Sequence, residues 1–370
     1  MRLMLTGGGT GGHIYPGLTL LRYLEKMYGS IEVLYVGSER GLEQDIVKRT
    51  GIPFVSIPAA GLRRQLSLSG LKTAWTTVRG YWKAKKLVRQ FRPDVVVGTG
   101  GYVTLPVVFA AAAYNVPSVV WEGNARPGLT NQLCARKAYG VAVCFEDTKK
   151  WFPKANKVVV TGNPRASEVL EVDEAQLAAA RRQYRLSPGK KLIVCFAGSR
   201  GAETVNEVWA KTIPKFAEKP DWQLLYVTGD KHYEAVQCSL SDVPPNVTVI
   251  PFVHDMPAVL PQAAALVTRA GSSTLAEICS FGLASILIPS PYVTANHQEE
   301  NARRLVDKGA ALMIRESELT PESLWKALLT VLETNQGDAL RRAAKQLATP
   351  NAVRDLGALV MEAWETRRPS

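Results

Sequence analysis

Arg2-Leu-Met-Leu-Thr6 runs directly into Gly7-Gly-Gly-Thr-Gly-Gly-His13, an apolar strand closed by a glycine-rich turn. An amphipathic helix is expected behind it, over about 16–27. Strand, glycine turn and helix in that order open a doubly wound α/β domain, because glycines let backbone N–H groups approach a phosphate at a helix N-terminus. Working outward, apolar runs at 31–36, 95–97, 116–121 and 138–143 read as further strands, and 103–113 as a buried helix. Such runs separated by helices imply a parallel sheet covered on both faces. The rhythm restarts at 191–197, which meets Gly198-Ser-Arg-Gly201, and continues through strands at 223–228, 247–250, 265–268 and 285–289. The break falls near Gly162-Asn-Pro-Arg165, where a strand ends in turn residues. Two doubly wound, Rossmann-like α/β domains facing a cleft are expected, 1–163 and 164–349. A final helix, within 350–370, has no parent domain that its own residues identify.

Composition limits what such a chain does. At 370 residues, 46% hydrophobic and 21% charged, it is long enough for two folded cores and unlike a disordered chain. Its five cysteines (Cys134, Cys144, Cys195, Cys238, Cys279) are scattered, with no C-x-x-C pair, so neither a zinc site nor a disulfide framework is indicated. No apolar run reaches about 20 residues, so no spanning helix is expected. No apolar run before the glycines is long enough for a signal peptide, and a reduced, cytoplasmic setting is expected. Charge is uneven: residues 1–162 hold 22 Lys/Arg against 9 Asp/Glu, net +13, while 163–370 are close to neutral at −1. The first half therefore attracts something anionic, an acidic membrane or nucleic acid.

The first turn contains G-x-G-x-x-G (Gly7, Gly9, Gly12), and Glu39 after the second strand is placed to be a ribose-binding acid. His13 stands where loop becomes helix, either as a general base or as a residue that hydrogen-bonds the loop. Gly98-Thr-Gly-Gly101-Tyr102 closes another strand. Three glycine turns at strand ends suggest more than one phosphate-bearing ligand, which suits a transferase with two pyrophosphate substrates better than a dehydrogenase. In Thr268-Arg-Ala-Gly-Ser-Ser-Thr-Leu-Ala-Glu277 a helix starts among small hydroxyl residues, where a diphosphate can sit. Glu277 then either receives ribose hydroxyls or is a solvated helix carboxylate. Asn296-His-Gln298 either reaches sugar hydroxyls or caps the next helix. Over 71–92, Leu71, Trp75, Val78 and Trp82 recur at helical spacing beside Lys72, Arg79, Lys83, Lys86 and Arg89. That is a helix for a membrane interface, or a buried stripe with solvated cations. No nucleic-acid motif accompanies the charge.

Several segments in one order carry a resemblance: Thr10-Gly-Gly-His13 with Pro16, Gly100-Gly-Tyr102 with Pro106, and Glu122-Gly-Asn124 with Pro127-Gly128 and Asn131. Gly162-Asn-Pro-Arg165, Gly198-Ser-Arg-Gly-Ala202 with Asn206, and Phe252 with Asp255-Met256 follow. Arg269-Ala-Gly271 with Thr274 and Glu277, and Asn296-His-Gln298 with Asn301-Ala302, complete them. From Gly7 to about Ala311 the chain resembles the MurG family of peptidoglycan glycosyltransferases, which convert lipid I to lipid II.

The resemblance implies a GT-B fold, with UDP-N-acetylglucosamine mainly in the C-terminal domain and undecaprenyl-linked lipid I in the N-terminal one. It implies an inverting transfer to the 4-hydroxyl of N-acetylmuramic acid, with no metal or other cofactor. His13 is then the base. Thr10, Gly11, Gly12, Asn124, Arg165, Ser199, Val253, Ser272, Ser273, Thr274, Leu275, Ala276, Glu277 and Gln298 would bind the donor, with Arg165 or Arg269 near the leaving charge. Gly9, Gly100, Gly101 and Tyr102 would hold the acceptor diphosphate. Trp75, Val78, Trp82, Lys83 and Lys86 would meet an anionic membrane, on the cytoplasmic face of the bacterial inner membrane. The last helix would return to the N-terminal domain, and other cell-wall synthesis proteins would be partners, in growth and division. The family's usual Glu-Gln-Asn reads Glu122-Gly123-Asn124 here, and its Gly-Gly-Ser-Gln-Gly reads Ala197-Gly-Ser-Arg200-Gly. The alternative is a related GT-B transferase that glycosylates another membrane lipid. A nicotinamide-dependent oxidoreductase is the reading the first glycine turn would give alone.

Overall fold

The computed structural model describes residues 1–39, 41–61, 68–197, 202–240, 242–293 and 296–367. It divides into two compact units, Met1–Ser167 joined by the tail from Pro350, and Glu168–Thr349.

The first unit is built on a seven-stranded sheet. Its strands are β1 (Arg2–Thr6), β2 (Glu32–Ser38), β3 (Phe54–Ile57), β4 (Val95–Gly98), β5 (Ser118–Glu122), β6 (Gly140–Val143) and β7 (Val158–Val160). They lie in the order β3-β2-β1-β4-β5-β6-β7, every pair parallel. Side chains alternate across a strand, so β1 sends Leu3 and Leu5 into one apolar layer and Met4 into the other. Val95 and Val97 likewise face away from Val96. Helices cover both layers, which is why these strands are continuous apolar runs.

The helix Gly11–Tyr28 begins inside the glycine turn, five residues before the expected start, with Pro16 in its second turn. The tail helix Ala352–Glu365 packs beside it. Leu356, Leu359, Val360 and Ala363, at helical spacing, are buried in the layer that holds Leu3 and Leu5. Its outer edge is tied by Glu362, which accepts hydrogen bonds from Tyr139 and Lys157, each at 2.6 Å.

The second unit repeats the scheme with six parallel strands, β8 (Lys191–Phe196), β9 (Trp222–Val227), β10 (Val247–Ile250), β11 (Ala265–Thr268), β12 (Ser285–Leu287) and β13 (Leu312–Met313). The order is β10-β9-β8-β11-β12-β13. Trp209, Phe216, Trp222 and Tyr226 are buried on one face, with Trp209 and Tyr226 ring centroids 5.5 Å apart. Two strands fall outside the expected set, β3 and β13. Both are short edge strands, four and two residues long, with too few positions to display a periodicity. β12 stops two residues early, ahead of Pro289, whose nitrogen cannot donate to a ladder.

Leu356→Ala leaves a cavity where the tail helix meets the first sheet and should destabilise the first unit by about 2–5 kcal/mol. Hydrogen exchange checks the assignment. Protection should fall in β1, β4 and β5 while β8 and β9 keep theirs; equal loss in both units would contradict it.

Candidate functional site

In the first unit the order β2-β1-β4 makes β1 and β4 the point where the chain reverses direction across the sheet, the usual place for a ligand crevice. Thr6 of β1 lies opposite Gly98 of β4, so the two glycine turns leave the sheet side by side. Thr99 N donates to Thr6 O at 2.8 Å and Gly8 N to Gly100 O at 3.1 Å. The turns touch backbone to backbone: a Cβ on Gly101, where φ is +85°, would lie 2.3 Å from Gly8 O. Gly100, with φ of +109°, is equally closed to other residues, since a Cβ there would sit 2.8 Å from His13 Cδ2 and 3.1 Å from Nε2.

His13 is half-buried in the first turn of the helix Gly11–Tyr28. Its Nδ1 is 3.0 Å from Gly8 O, with Thr10 Oγ1 farther away at 3.4 Å. A carbonyl only accepts, so Nδ1 carries a proton, and in the neutral ring the lone pair is on Nε2, the atom a base uses. Nδ1 thus pins the loop, while Nε2 is turned to the Gly100 side. Gly9, Thr10 and Gly12 are exposed on the same rim and Gly11 is half-buried, while Tyr102 is half-exposed over Gly61. Glu39 is not the acid under this loop. It is exposed and lies 3.9 Å from Lys83. The acid there is Glu43, fully buried, with Oε2 accepting from Gly9 N at 3.0 Å. A carboxylate sealed beneath the loop, as Glu43 is, cannot receive a ribose.

Asn124 is placed by a second buried acid. Glu122, 3% exposed, accepts from Asn124 N (2.9 Å), Asn124 Nδ2 (3.1 Å), Gly128 N (3.2 Å) and Asn131 Nδ2 (2.9 Å). Burial pushes its carboxyl up from the usual range, and the four donors work against that. Sequence reading caught Glu122 only as part of a motif; its work of holding the 123–128 turn depends on contacts no spacing shows. Arg165 also belongs to the first unit, at the head of the helix Arg165–Glu168 with its N bonded to Asn163 Oδ1 at 3.0 Å.

In the second unit Thr268 of β11 lies opposite Phe196 of β8, so these two strands end side by side. Ser199, with its neighbours Gly198, Arg200 and Gly201, lies outside the described residues. The helix Ser272–Phe281 starts at Gly271 with no side-chain cap and no acidic residue in its first turn, so its N-terminal field stays positive. Ser272, Ser273, Thr274 and Ala276 are half-buried along it. Leu275 and Val253 are buried at 2% and 4% exposure, which leaves their backbone as the part that can meet a ligand. Glu277 is 6% exposed, so it is not a solvated helix carboxylate. Arg269 is buried, ion-paired with Glu316 at 2.5 Å, and donates from Nη1 to Ile288 O at 3.0 Å.

Gln298 Oε1 accepts from Ser290 N at 2.9 Å, which orients the amide and leaves Nε2 as its donor end. Asn296 takes the N-cap position of the helix His297–Val306 with φ of 51° and donates to Glu299 Oε2 at 2.8 Å. Asn296, Arg303 and Arg315 together draw the Glu299 carboxyl down to about 2.

On the long helix Leu68–Phe91, Gly80, Ala84 and Val88 face the core. Trp75 (66% exposed), Val78 (45%) and Trp82 (61%) face outward with Arg79, Lys83 and Lys86. The apolar stripe read from the sequence is thus the exposed face and not the packed one; the side chains of Leu71 and Lys72 lie outside the described ones. Among the described residues no helix is long and apolar enough to cross a membrane, and no group of three His, Cys, Asp or Glu is placed to hold a metal ion.

Residues 3–143 match the glycosyltransferase family 28 N-terminal domain and residues 192–356 its C-terminal domain. The chain is 47% identical, over 98% of its length and 99% of the relative's, to the UDP-N-acetylglucosamine–N-acetylmuramyl-(pentapeptide) pyrophosphoryl-undecaprenol N-acetylglucosamine transferase of Halalkalibacterium halodurans. It is 46% identical, over 96% of its length and 97% of the relative's, to a Bacillus cereus protein of the same name numbered 1. The crystal structure of Acinetobacter baumannii MurG aligns with a TM-score of 0.76 at 28% identity, covering 98% of this chain and 99% of that one. The doubly wound α/β architecture expected of a GT-B glycosyltransferase is the one found.

Glu299 generates a pH-dependent prediction. Its carboxyl is depressed in the folded state, so its contribution to stability is fully present above its ordinary value of 4.5 and is lost as pH falls toward about 2. Glu299→Gln should cost the second unit about 1 kcal/mol at neutral pH. In urea titrations the gap between parent and variant should be flat from neutrality down to pH 4.5 and narrow below it.

Proposed function

The chain belongs to glycosyltransferase family 28, and we propose that it moves N-acetylglucosamine from UDP-N-acetylglucosamine to lipid I, giving lipid II for peptidoglycan synthesis. The observation that carries this is 47% identity, along nearly all of both chains, to a relative named for that transfer. The second unit holds the donor. Its pyrophosphate lies at the uncapped N-terminus of the helix Ser272–Phe281, Glu277 receives the ribose hydroxyls, and Gln298 Nε2 and Asn124 reach the sugar. Thr10, Gly11, Gly12 and Arg165 complete the donor contacts, with Arg165 on the leaving charge. The first unit holds the acceptor, whose diphosphate meets Gly9, Gly100, Gly101 and Tyr102.

Chemistry follows in one displacement. The 4-hydroxyl of the N-acetylmuramyl sugar attacks the anomeric carbon of N-acetylglucosamine while His13 Nε2 takes its proton. The bond to UDP breaks as the new one forms, inverting α to β with no covalent intermediate. Helix-end N–H groups and Arg165 are preorganised for the charge that appears on UDP. No resident metal or cofactor takes part. Support for His13 is its tautomer, fixed by Gly8 O.

The exposed Trp75, Val78 and Trp82, ringed by Arg79, Lys83 and Lys86, rest in the interface of an anionic membrane where the undecaprenyl acceptor resides. The excess positive charge of the first half supports this. The protein works peripherally at the cytoplasmic face of the inner membrane, beside other cell-wall synthesis proteins, in growth, shape and division.

Transfer of labelled N-acetylglucosamine to a lipid I analogue, with chelator present, tests the whole reading. No product with any lipid I analogue would overturn it, and product only after metal is restored would overturn the metal-free step. His13→Ala should keep UDP binding by calorimetry and lose about 10²- to 10⁴-fold in turnover; turnover near the parent's would place the base elsewhere. Trp75→Ala with Trp82→Ala should weaken binding to anionic vesicles by about tenfold or more, with transfer to a short-chain soluble acceptor retained.

A further inference from the structure

The peptide unit joining Gly8 to Gly9 is hydrogen-bonded at both ends. Its carbonyl oxygen meets His13 Nδ1 at 3.0 Å, and its N–H donates to Glu43 Oε2 at 3.0 Å. Glu43 Oε1 accepts from Ser38 N at 2.8 Å and from the Ser38 hydroxyl. Among the described residues, its hydrogen bonds are ones it accepts. Room for it comes from missing side chains. A Cβ on Gly8, Gly37 or Gly41 would lie 2.3, 2.7 or 2.0 Å from Glu43 atoms. These glycines thus leave space for one fully buried carboxyl, which that peptide links to the crevice.

We propose that Glu43 is a positioning residue for His13, acting through the Gly8–Gly9 peptide as a carboxylate–peptide–imidazole relay. A negative acceptor on the N–H polarises the amide, its carbonyl oxygen becomes a stronger acceptor, and the Nδ1–H tautomer is held. When Nε2 takes the proton of the acceptor hydroxyl, the imidazolium is stabilised by the carboxylate behind it. Nδ1 keeps its own proton, and neither the peptide nor Glu43 exchanges one. Among the described residues Tyr35 is a titratable neighbour of Glu43. Burial first, and then the charge of Glu43, push its phenol far up, and it donates to Gly7 O at 2.9 Å. It braces the loop one peptide upstream, outside the relay. The role rests on His13 being the base.

The test uses the ¹⁵N-labelled full chain. Ring nitrogens of its four histidines are titrated by NMR, with His13 assigned by its absence in His13→Ala. Glu43→Gln keeps the size and removes the charge. It should move the His13 titration down by roughly 0.5–1 pH unit, with the acid limb of kcat/KM moving the same way. Turnover should fall about tenfold and KM for UDP-N-acetylglucosamine should hold. Glu43→Asp, which keeps the charge, should return the titration toward the parent's and serves if the glutamine variant does not fold. Tyr35→Phe cuts a brace of the same loop and should lower the melting temperature while His13 titrates as in the parent. If Glu43→Gln lowers activity and melting temperature with the His13 titration unmoved, or if Tyr35→Phe moves it equally, the relay is overturned and Glu43 is only a brace. Failure of the base reading shows separately, as turnover surviving in His13→Ala wherever His13 titrates.

Discussion

The close approach of two glycine turns governs the first unit. Parallel pairing of β1 with β4 sets Thr6 opposite Gly98, and the chain must then pass Gly7–Gly9 and Thr99–Gly101 through the same small volume. Backbone lies on backbone there, with Gly8 N bonded to Gly100 O and no room for a Cβ on Gly101. Such contact fixes the direction of each peptide plane, because buried N–H and C=O groups must find partners. Gly8 O is thereby aimed at the imidazole and Gly9 N at Glu43. A side chain at either glycine would part the turns and with them the tautomer of His13.

Buried carboxylates do the bracing in both units, in different ways. Glu43 and Glu122 accept hydrogen bonds from backbone N–H groups, serine and asparagine. Glu316 instead takes Arg269, the cation nearest in sequence to the helix that would hold a diphosphate. Removing either partner of that pair would strand a buried charge. The positive field at Ser272 comes from the helix end, which needs no flexible side chain to be ordered before it acts.

The long helix Leu68–Phe91 shows how one amphipathic pattern serves two solvents. Small and β-branched residues at Gly80, Ala84 and Val88 pack inward, where Gly80 lets the helix run against Pro58 O. The larger aromatics are turned out, among the cations. Bulk inside would have held the helix off the sheet, so the split follows side-chain size as much as hydrophobicity.

The sequence alone determined the two α/β units, the interior strands and the families of turn, because unbroken apolar runs and glycine clusters are local signals with few structural solutions. It also marked His13, Glu277 and Gln298 as candidates for the chemistry. Tertiary structure decided which acid sits beneath the first loop, Glu43 and not Glu39, since both lie just after β2 and only burial separates them. It decided that Arg269 is spent on Glu316, that the tail helix packs in the first unit, and that the stripe Trp75-Val78-Trp82 faces out. The edge strands β3 and β13 were settled there too, being too short to declare themselves. Periodicity says that a helix has an apolar face; which surface covers that face is fixed by residues far away in the chain, and no local pattern carries them.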